Sequence, residues 1–146
     1  WDFVISYLYY TSVGGKPYCM VKSEAFWGPL GWLLRKMGGI PVDRKRGSNV
    51  VLSVINEMKK RDVVHLALAP EGARQAVKRW KTGFHTIARE VGCPVYMGYF
   101  DWGTKTIGRG QKVELTDDAK ADMARIQDLY EKMNLTAKYP DMYRTK

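Results

Sequence analysis

The order in which apolar periodicity changes between residues 48 and 100 constrains this chain more than any other feature. Val51, Ile55 and Met58 recur at helical spacing, behind Ser48 or Asn49, either of which can cap a helix running to about Arg61. Lys59, Lys60 and Arg61 fall in its last turn, where the helix dipole favours cations. Val63 to Ala69 is then almost continuously apolar, as a strand buried on both faces should be. Phe84, Ile87, Ala88 and Val91 return to helical phase over Gly83 to Val91, with Gly92 as the stop, and Pro94 to Phe100 reads as a second buried strand. Helix, strand, helix, strand predicts an α/β fold: a single domain with a mixed, mostly parallel sheet flanked by helices.

The flanking stretches fill in this outline. Residues 3 to 10 are aromatic and β-branched, and lean to strand by propensity. Val4/Leu8 and Phe3/Tyr7/Tyr10 fit a helical face equally well, so periodicity leaves both open. Gly14-Gly15-Lys16-Pro17 is a turn before a short strand, Tyr18 to Lys22. Residues 24 to 37 predict two short helical pieces with a break at Gly28-Pro29, before Leu30. Ile40 to Arg44 is extended and leads into the basic loop 44–48. Lys105 to Ile107 and Lys112 to Leu115 flank Gly108-Arg109-Gly110 as a hairpin toward one edge of the sheet. Thr116 or Asp117 is placed to cap a last helix carrying Met123, Ile126, Tyr130 and Met133 on one face. The expected organisation is one α/β domain over residues 1–133 and a loosely ordered tail over 134–146.

Composition removes several functions. With 146 residues, 45% hydrophobic and 27% charged, the chain is sized and balanced for one globular domain and not for wholesale disorder. No apolar run nears the roughly 18 residues a spanning helix needs. Cys19 and Cys93 form neither a metal pattern nor a disulfide framework, which fits a reducing compartment. Two histidines and two distant cysteines make a metal site unexpected. Gly14-Gly15-Lys16 lacks nucleotide-loop spacing, and no dinucleotide fingerprint follows a strand. The net charge of +9 points to an anionic partner: nucleic acid, a lipid surface or a phosphorylated substrate, unless it is simply a lysine-rich soluble surface.

What remains is a set of acids and arginines placed just after extended segments, where ligands of open α/β sheets bind. Asp43-Arg44 follows one such segment and Glu71-Gly72-Ala73-Arg74 the next. If the two segments are neighbours, Arg44 and Arg74 meet in one crevice, and guanidinium forks hold phosphate oxygens bidentately. Gly72 lets backbone approach a ligand closely. Spacing alone leaves open that Asp43 and Glu71 merely pair with these arginines. His65 reads as a satisfied core residue of the apolar strand. His85 reads as exposed or packed at a rim, with no aspartate at suggestive spacing.

These residues resemble the lysophospholipid and glycerol-phosphate acyltransferase superfamily, of which the 1-acylglycerol-3-phosphate acyltransferases are the best-known members. Gly39-Ile40-Pro41-Val42-Asp43-Arg44 and Pro70-Glu71-Gly72-Ala73-Arg74 look like its second and third motifs. Trp80-Lys81-Thr82-Gly83-Phe84 resembles the Lys-x-Gly segment after the third, and Cys93-Pro94-Val95-Tyr96 the fourth. Tyr18 to Trp32 resembles the stretch between motifs one and two, with Lys22 where the family often places a basic residue. The likeness runs from residue 1 to about residue 115, and four motifs in order make it specific. Ala73 replaces the usual threonine, which removes a hydroxyl but not the neighbouring arginine. Trp1-Asp2-Phe3 looks like the end of the first motif, His-x-x-x-x-Asp, so that its histidine is expected upstream of Trp1 and Asp2 is its aspartate.

The resemblance implies acyl transfer from acyl-CoA or acyl carrier protein to the free hydroxyl of a lysophosphatidate-type acceptor, with no cofactor. The hydroxyl proton must be removed as the oxygen attacks, and an imidazole oriented by Asp2 suits that step. Arg44, Arg74 and Lys22 would hold the acceptor phosphate, Glu71 and Lys81 would shape or bind at the same site, and backbone amides near Gly72 are candidate oxyanion donors. Phe26, Trp27, Trp32 and Leu33 could form an interfacial surface or an acyl groove, or simply a packed helical hairpin. The expected place of action is the cytoplasmic, inner face of the cell membrane, bound peripherally to an anionic surface. Alternatives are another lysolipid acceptor, or a non-catalytic basic domain holding lipid or nucleic acid. Nucleic acid is disfavoured because the aromatics cluster in residues 18–32 instead of interleaving with basic ones.

Overall fold

The computed structural model describes residues 2–43, 48–72, 77 and 79–138, with backbone alone at 2, 3, 48 and 49. The chain has an α/β fold with mixed, mostly parallel strand pairing flanked by helices: two strand pairs are parallel and one antiparallel. It divides into two compact units, Trp1–Leu68 and Ala69–Lys146.

The first unit runs α1 (Asp2–Ser12), β1 (Pro17–Lys22), a 3-10 turn (Ser23–Ala25), α2 (Gly28–Lys36), β2 (Gly39–Val42), α3 (Ser48–Lys59) and β3 (His65–Ala67). The strands form one parallel sheet in the order β2-β1-β3. β1 is therefore the middle strand, with Met20 opposite Ile40 on one side and Tyr18 opposite Leu66 on the other. Pro41 donates no ladder bond, and its strand lies at the sheet edge, where that loss is tolerated. Ile40 and Val42 alternate inward from β2, and Val54, Ile55 and Met58 of α3 complete the buried apolar set.

The structure decides residues 3–10 in favour of helix. Thr11 and Ser12 bond back to carbonyls of the preceding turn, at 2.9 Å (Thr11 to Tyr7) and 2.7 Å (Ser12 to Tyr9), and Gly14 then turns the chain at φ +75°. The two pieces expected over 24–37 are the 3-10 turn and α2. The interruption is at Phe26-Trp27, because Pro29 in the first turn of α2 starts that helix instead of breaking it. The strand expected over Val63 to Ala69 is a correction: among the described residues His65–Ala67 pairs, with β1, and Val63 and His65 are exposed. His65 is thus no core residue; its ring lies 5.9 Å from that of Tyr10.

The second unit runs α4 (Gly83–Val91), the hairpin β4 (Val95–Asp101) and β5 (Thr106–Val113), and α5 (Ala119–Lys132). Its apolar centre is Met97, Val113 and Ile126, against which Trp80, Phe84, Leu115, Leu129, Tyr130 and Met133 pack. Gly92, at φ +71°, ends α4 in the left-handed conformation, and the Cys93 amide reaches back to the Ala88 carbonyl at 3.0 Å. β4 is half exposed, not buried, since only Met97 faces fully inward.

The hairpin turn is also corrected. Gly108-Arg109-Gly110 lies within β5, with Gly108 opposite Tyr99. A Cβ on Gly108 would stand 2.6 Å from the Tyr99 hydroxyl, so the glycine makes room for a cross-strand ring. The turn is formed by residues 102–105, organised by the Asp101 carboxylate, which accepts from the Gly103 amide at 3.0 Å and the Thr104 hydroxyl at 2.7 Å. Asp118, not Thr116 or Asp117, caps α5, accepting from the Lys120 and Ala121 amides at 2.9 Å. Beyond α5, the Thr136 amide and carbonyl bond to Asp101 and Trp102, while residues 139–146 lie outside the described residues.

One glycine governs the first unit. Gly38 joins α2 to β2 at φ +85°, and a Cβ there would stand 2.1 Å from the Pro17 carbonyl oxygen, in the backbone entering β1. Gly38→Ala should destabilise the protein by about 2 kcal/mol or more, from backbone strain plus displacement of β1. Chemical denaturation of the two proteins measures this, and coincident midpoints would contradict it.

Candidate functional site

Parallel pairing sets where the candidate residues of the first unit lie. Lys22 is the last residue of β1 and pairs with Val42, the last of β2. Both strands therefore end on the same side of the sheet, with Lys22 exposed there and Asp43 following directly. β3 is parallel to them and ends on that side as well. Asp2 is the first residue of α1; its side chain lies outside the description, as does all of Arg44.

The third motif opens the second unit as a tight turn. The Gly72 amide donates to the Ala69 carbonyl at 3.1 Å, and the Lys81 amide to the Pro70 carbonyl at 2.7 Å. Gly72 has φ +63°, and its missing side chain leaves space for Lys81: an ideal Cβ would stand 3.0–3.1 Å from Lys81 Cδ, Cε and Nζ. Lys81 sits between two anchors, because Trp80 and Phe84 both pack onto the Met97–Val113–Ile126 cluster, and Trp80 stacks edge-on against Tyr130 at 5.8 Å. The Lys-x-Gly segment therefore delivers an ammonium group across the Glu71-Gly72 turn. Glu71 is half-buried, and desolvation raises its carboxyl pKa. So the Lys81 side chain lies over the Glu71-Gly72 turn. Arg74 lies outside the described residues. Gly72's own amide is already used within the turn, which removes it as an oxyanion donor.

Sequence reasoning missed a buried polar centre in the second unit. His85 is not at a rim: it is 5% exposed, and its Nε2 lies 3.1 Å from both Asp122 Oδ2 and the Thr116 carbonyl. Both partners are acceptors, so Nε2 carries a proton. Asp122 is itself buried, taking the Thr116 amide at 2.6 Å on Oδ2 and the Arg125 guanidinium at 2.8 Å on Oδ1. Arg89 donates to the Thr116 carbonyl from the side of α4 at 2.7 Å. Burial by itself would raise the Asp122 pKa, but hydrogen bonds from Arg125, Thr116 and His85 outweigh it and hold the group at about 2. His85 and Asp122 are 37 residues apart, so no local signal joins them. The pair has no open face for a substrate. It ties α4 to α5 and the strand exit before it.

Neither cysteine is set up as a nucleophile, since burial raises the pKa of Cys19 and Cys93 and disfavours the thiolate. Among the described residues no helix is long and apolar enough to cross a membrane.

The described part of the site is thus a glycine-turned acidic motif that follows β3 in the chain, with a lysine laid across it. The family model described as Acyltransferase matches residues 1–97, well over half of the chain, and the chain belongs to that family. The matched span takes in all four motif stretches and every candidate site residue from Asp2 to Lys81, and stops within β4. No curated protein and no solved structure gives a significant match.

The His85–Asp122 centre predicts the acid limit of folding. Asp122 has a folded pKa of about 2, below its ordinary 3.8, so its contribution is complete above about pH 4 and is lost as pH falls towards 2. Asp122→Asn should lower stability at neutral pH and flatten the dependence between about pH 4 and 2. His85→Phe, which leaves the buried carboxylate without its imidazole, should cost about 2–4 kcal/mol at pH 7. Urea midpoints across that pH range test both; a wild-type acid limb in Asp122→Asn would rule the assignment out.

Proposed function

We propose that this acyltransferase moves a fatty acyl group from an acyl thioester, acyl-CoA or acyl carrier protein, to the free hydroxyl of a lysophosphatidate-type acceptor in phospholipid biosynthesis. The observation that carries the proposal is the run of four motifs in family order, with Glu71, Gly72 and Lys81 assembled as one turn. Residues 1–133 are the catalytic region and 134–146 a tail. The protein works at the cytoplasmic, inner face of the cell membrane, bound to it peripherally.

The acceptor hydroxyl oxygen attacks the thioester carbonyl. Its proton passes to an imidazole at the first-motif position ahead of Asp2, and Asp2 fixes that ring's tautomer and stabilises the imidazolium. The carbon–sulfur bond breaks, the proton returns to the thiolate, and ester and free thiol leave. No covalent enzyme intermediate is needed. Arg74 and Arg44 serve the acceptor's phosphate, which suits bidentate guanidinium, and Lys22 adds charge at the end of β1. Lys81 offers its ammonium group to the phosphate at the third-motif turn. Because desolvation raises the Glu71 pKa, its carboxylate form is lost at a higher pH than an exposed glutamate's.

The test is thiol release from acyl-CoA with lysophosphatidate, using protein extended through the residues its gene encodes before Trp1. Release that needs both substrates is expected. Arg74→Ala should weaken acceptor use about 10- to 100-fold, as loss of one charge-assisted contact of about 1.5–3 kcal/mol would. Release with lyso-aminolipids but not lysophosphatidate would reassign the acceptor, and an unchanged rate in Arg74→Ala would remove its role.

A further inference from the structure

Helix α2 turns its apolar side to solvent. At about 100° per residue, Pro29, Leu30, Trp32, Leu33 and Lys36 fall on one half of the helix, and Gly31, Leu34 and Arg35 on the other. The second half faces protein: Gly31 is buried, and a Cβ on it would stand 2.6 Å from the Phe26 backbone, so the helix is seated tightly there. The first half is open. Trp32 is 65% exposed, Leu30 47% and Leu33 45%, and Trp27, just ahead of the helix, is 72% exposed.

The segment that carries α2 has more basic than acidic residues. Lys16, Lys22, Arg35 and Lys36 are exposed in residues 14–42, against the single acid Glu24. Lys36, on the open half, holds its Nζ 5.1 Å over the Trp32 ring, so a cation adjoins the apolar surface; Arg35 lies over the half-buried Phe26 ring at 5.2 Å, on the other half. α1 provides the contrast. It also exposes Val4 and Leu8, but residues 2–15 contain no lysine or arginine. Among the helices of the described residues, α2 joins an exposed face of Leu30, Trp32 and Leu33 to a basic group, the pairing that suits the headgroup layer of an anionic bilayer. With nine residues, roughly 14 Å, the helix is far too short to span and would lie in the plane of the interface. A second copy is a poorer occupant, since each chain carries +9.

We propose that α2, with Trp27, is the element that docks this protein on an anionic lipid surface, its Leu30–Trp32–Leu33 face entering the headgroup region and Lys36 meeting lipid phosphates. The proposal deepens the membrane-bound reading above and rests on it for the lipid nature of the acceptor.

The experiment is co-sedimentation of the 146-residue chain with phosphatidylcholine vesicles, with and without phosphatidylglycerol, in low and high salt, with no thioester or acceptor present. Binding to the anionic vesicles, a blue shift of tryptophan emission and weakening by salt are expected. Trp32→Glu combined with Leu33→Glu should lower binding about tenfold or more. Lys36→Glu, which changes only an exposed charge and keeps the apolar face, should lower it about tenfold. Leu52→Glu, on the exposed side of α3, should leave it unchanged. The proposal is overturned if wild type ignores anionic vesicles, if the α2 variants bind as wild type does, or if wild type self-associates through α2 without binding vesicles. Such a result, with acyl transfer to dispersed lysophosphatidate intact, would leave the enzymatic reading standing.

Discussion

Strand β1 hydrogen-bonds along both of its edges, and the first unit is organised by that fact. A parallel strand with two partners cannot slip by one residue without turning its neighbours inside out. The pairing of Lys22 with Val42 therefore determines which residues leave the sheet together. Gly38 makes the pairing possible. It brings the chain from α2 into β2 so close to Pro17 that no side chain fits, and its carbonyl accepts from the Cys19 amide at 3.1 Å. The residue just ahead of the second motif is thus a structural device.

The second unit uses different physics. Its candidate turn is held by two backbone hydrogen bonds and by the way Trp80 and Phe84 anchor the segment that carries Lys81. The deeper rigidity comes from ion-assisted bonds around Asp122, where a carboxylate kept ionised by three donors joins α4 to α5. Such a centre is costly to bury and costly to break, which favours one arrangement of these helices over others. α2 carries the opposite kind of exception. It leaves apolar surface in water, on Leu30, Trp32 and Leu33.

Much of this was legible beforehand. α3 and α4 follow from spacing alone, because each must bury one stripe and Gly92 can take the left-handed turn that ends the second. Gly72 and Lys81 were both named from motif order, and the fold shows why they go together: the space over one is filled by the other. The misreadings have physical causes. The apolar run at Val63 to Ala69 measured hydrophobicity, not pairing, and in the sheet β3 has a hydrogen-bonded neighbour on one side only. Gly108-Arg109-Gly110 carried turn residues, but a strand can use glycine to admit a large ring from across the ladder.

The amino-acid sequence by itself determined the α/β class, the helices of strong period and the acyltransferase motifs, because these depend on local spacing and residue type. The tertiary structure alone decided that α1 is helical, that His65 is exposed while His85 is buried against Asp122, and that α2 turns Trp32 outward. Those outcomes depend on what a side chain meets across tens of residues, and a one-dimensional pattern holds no record of that.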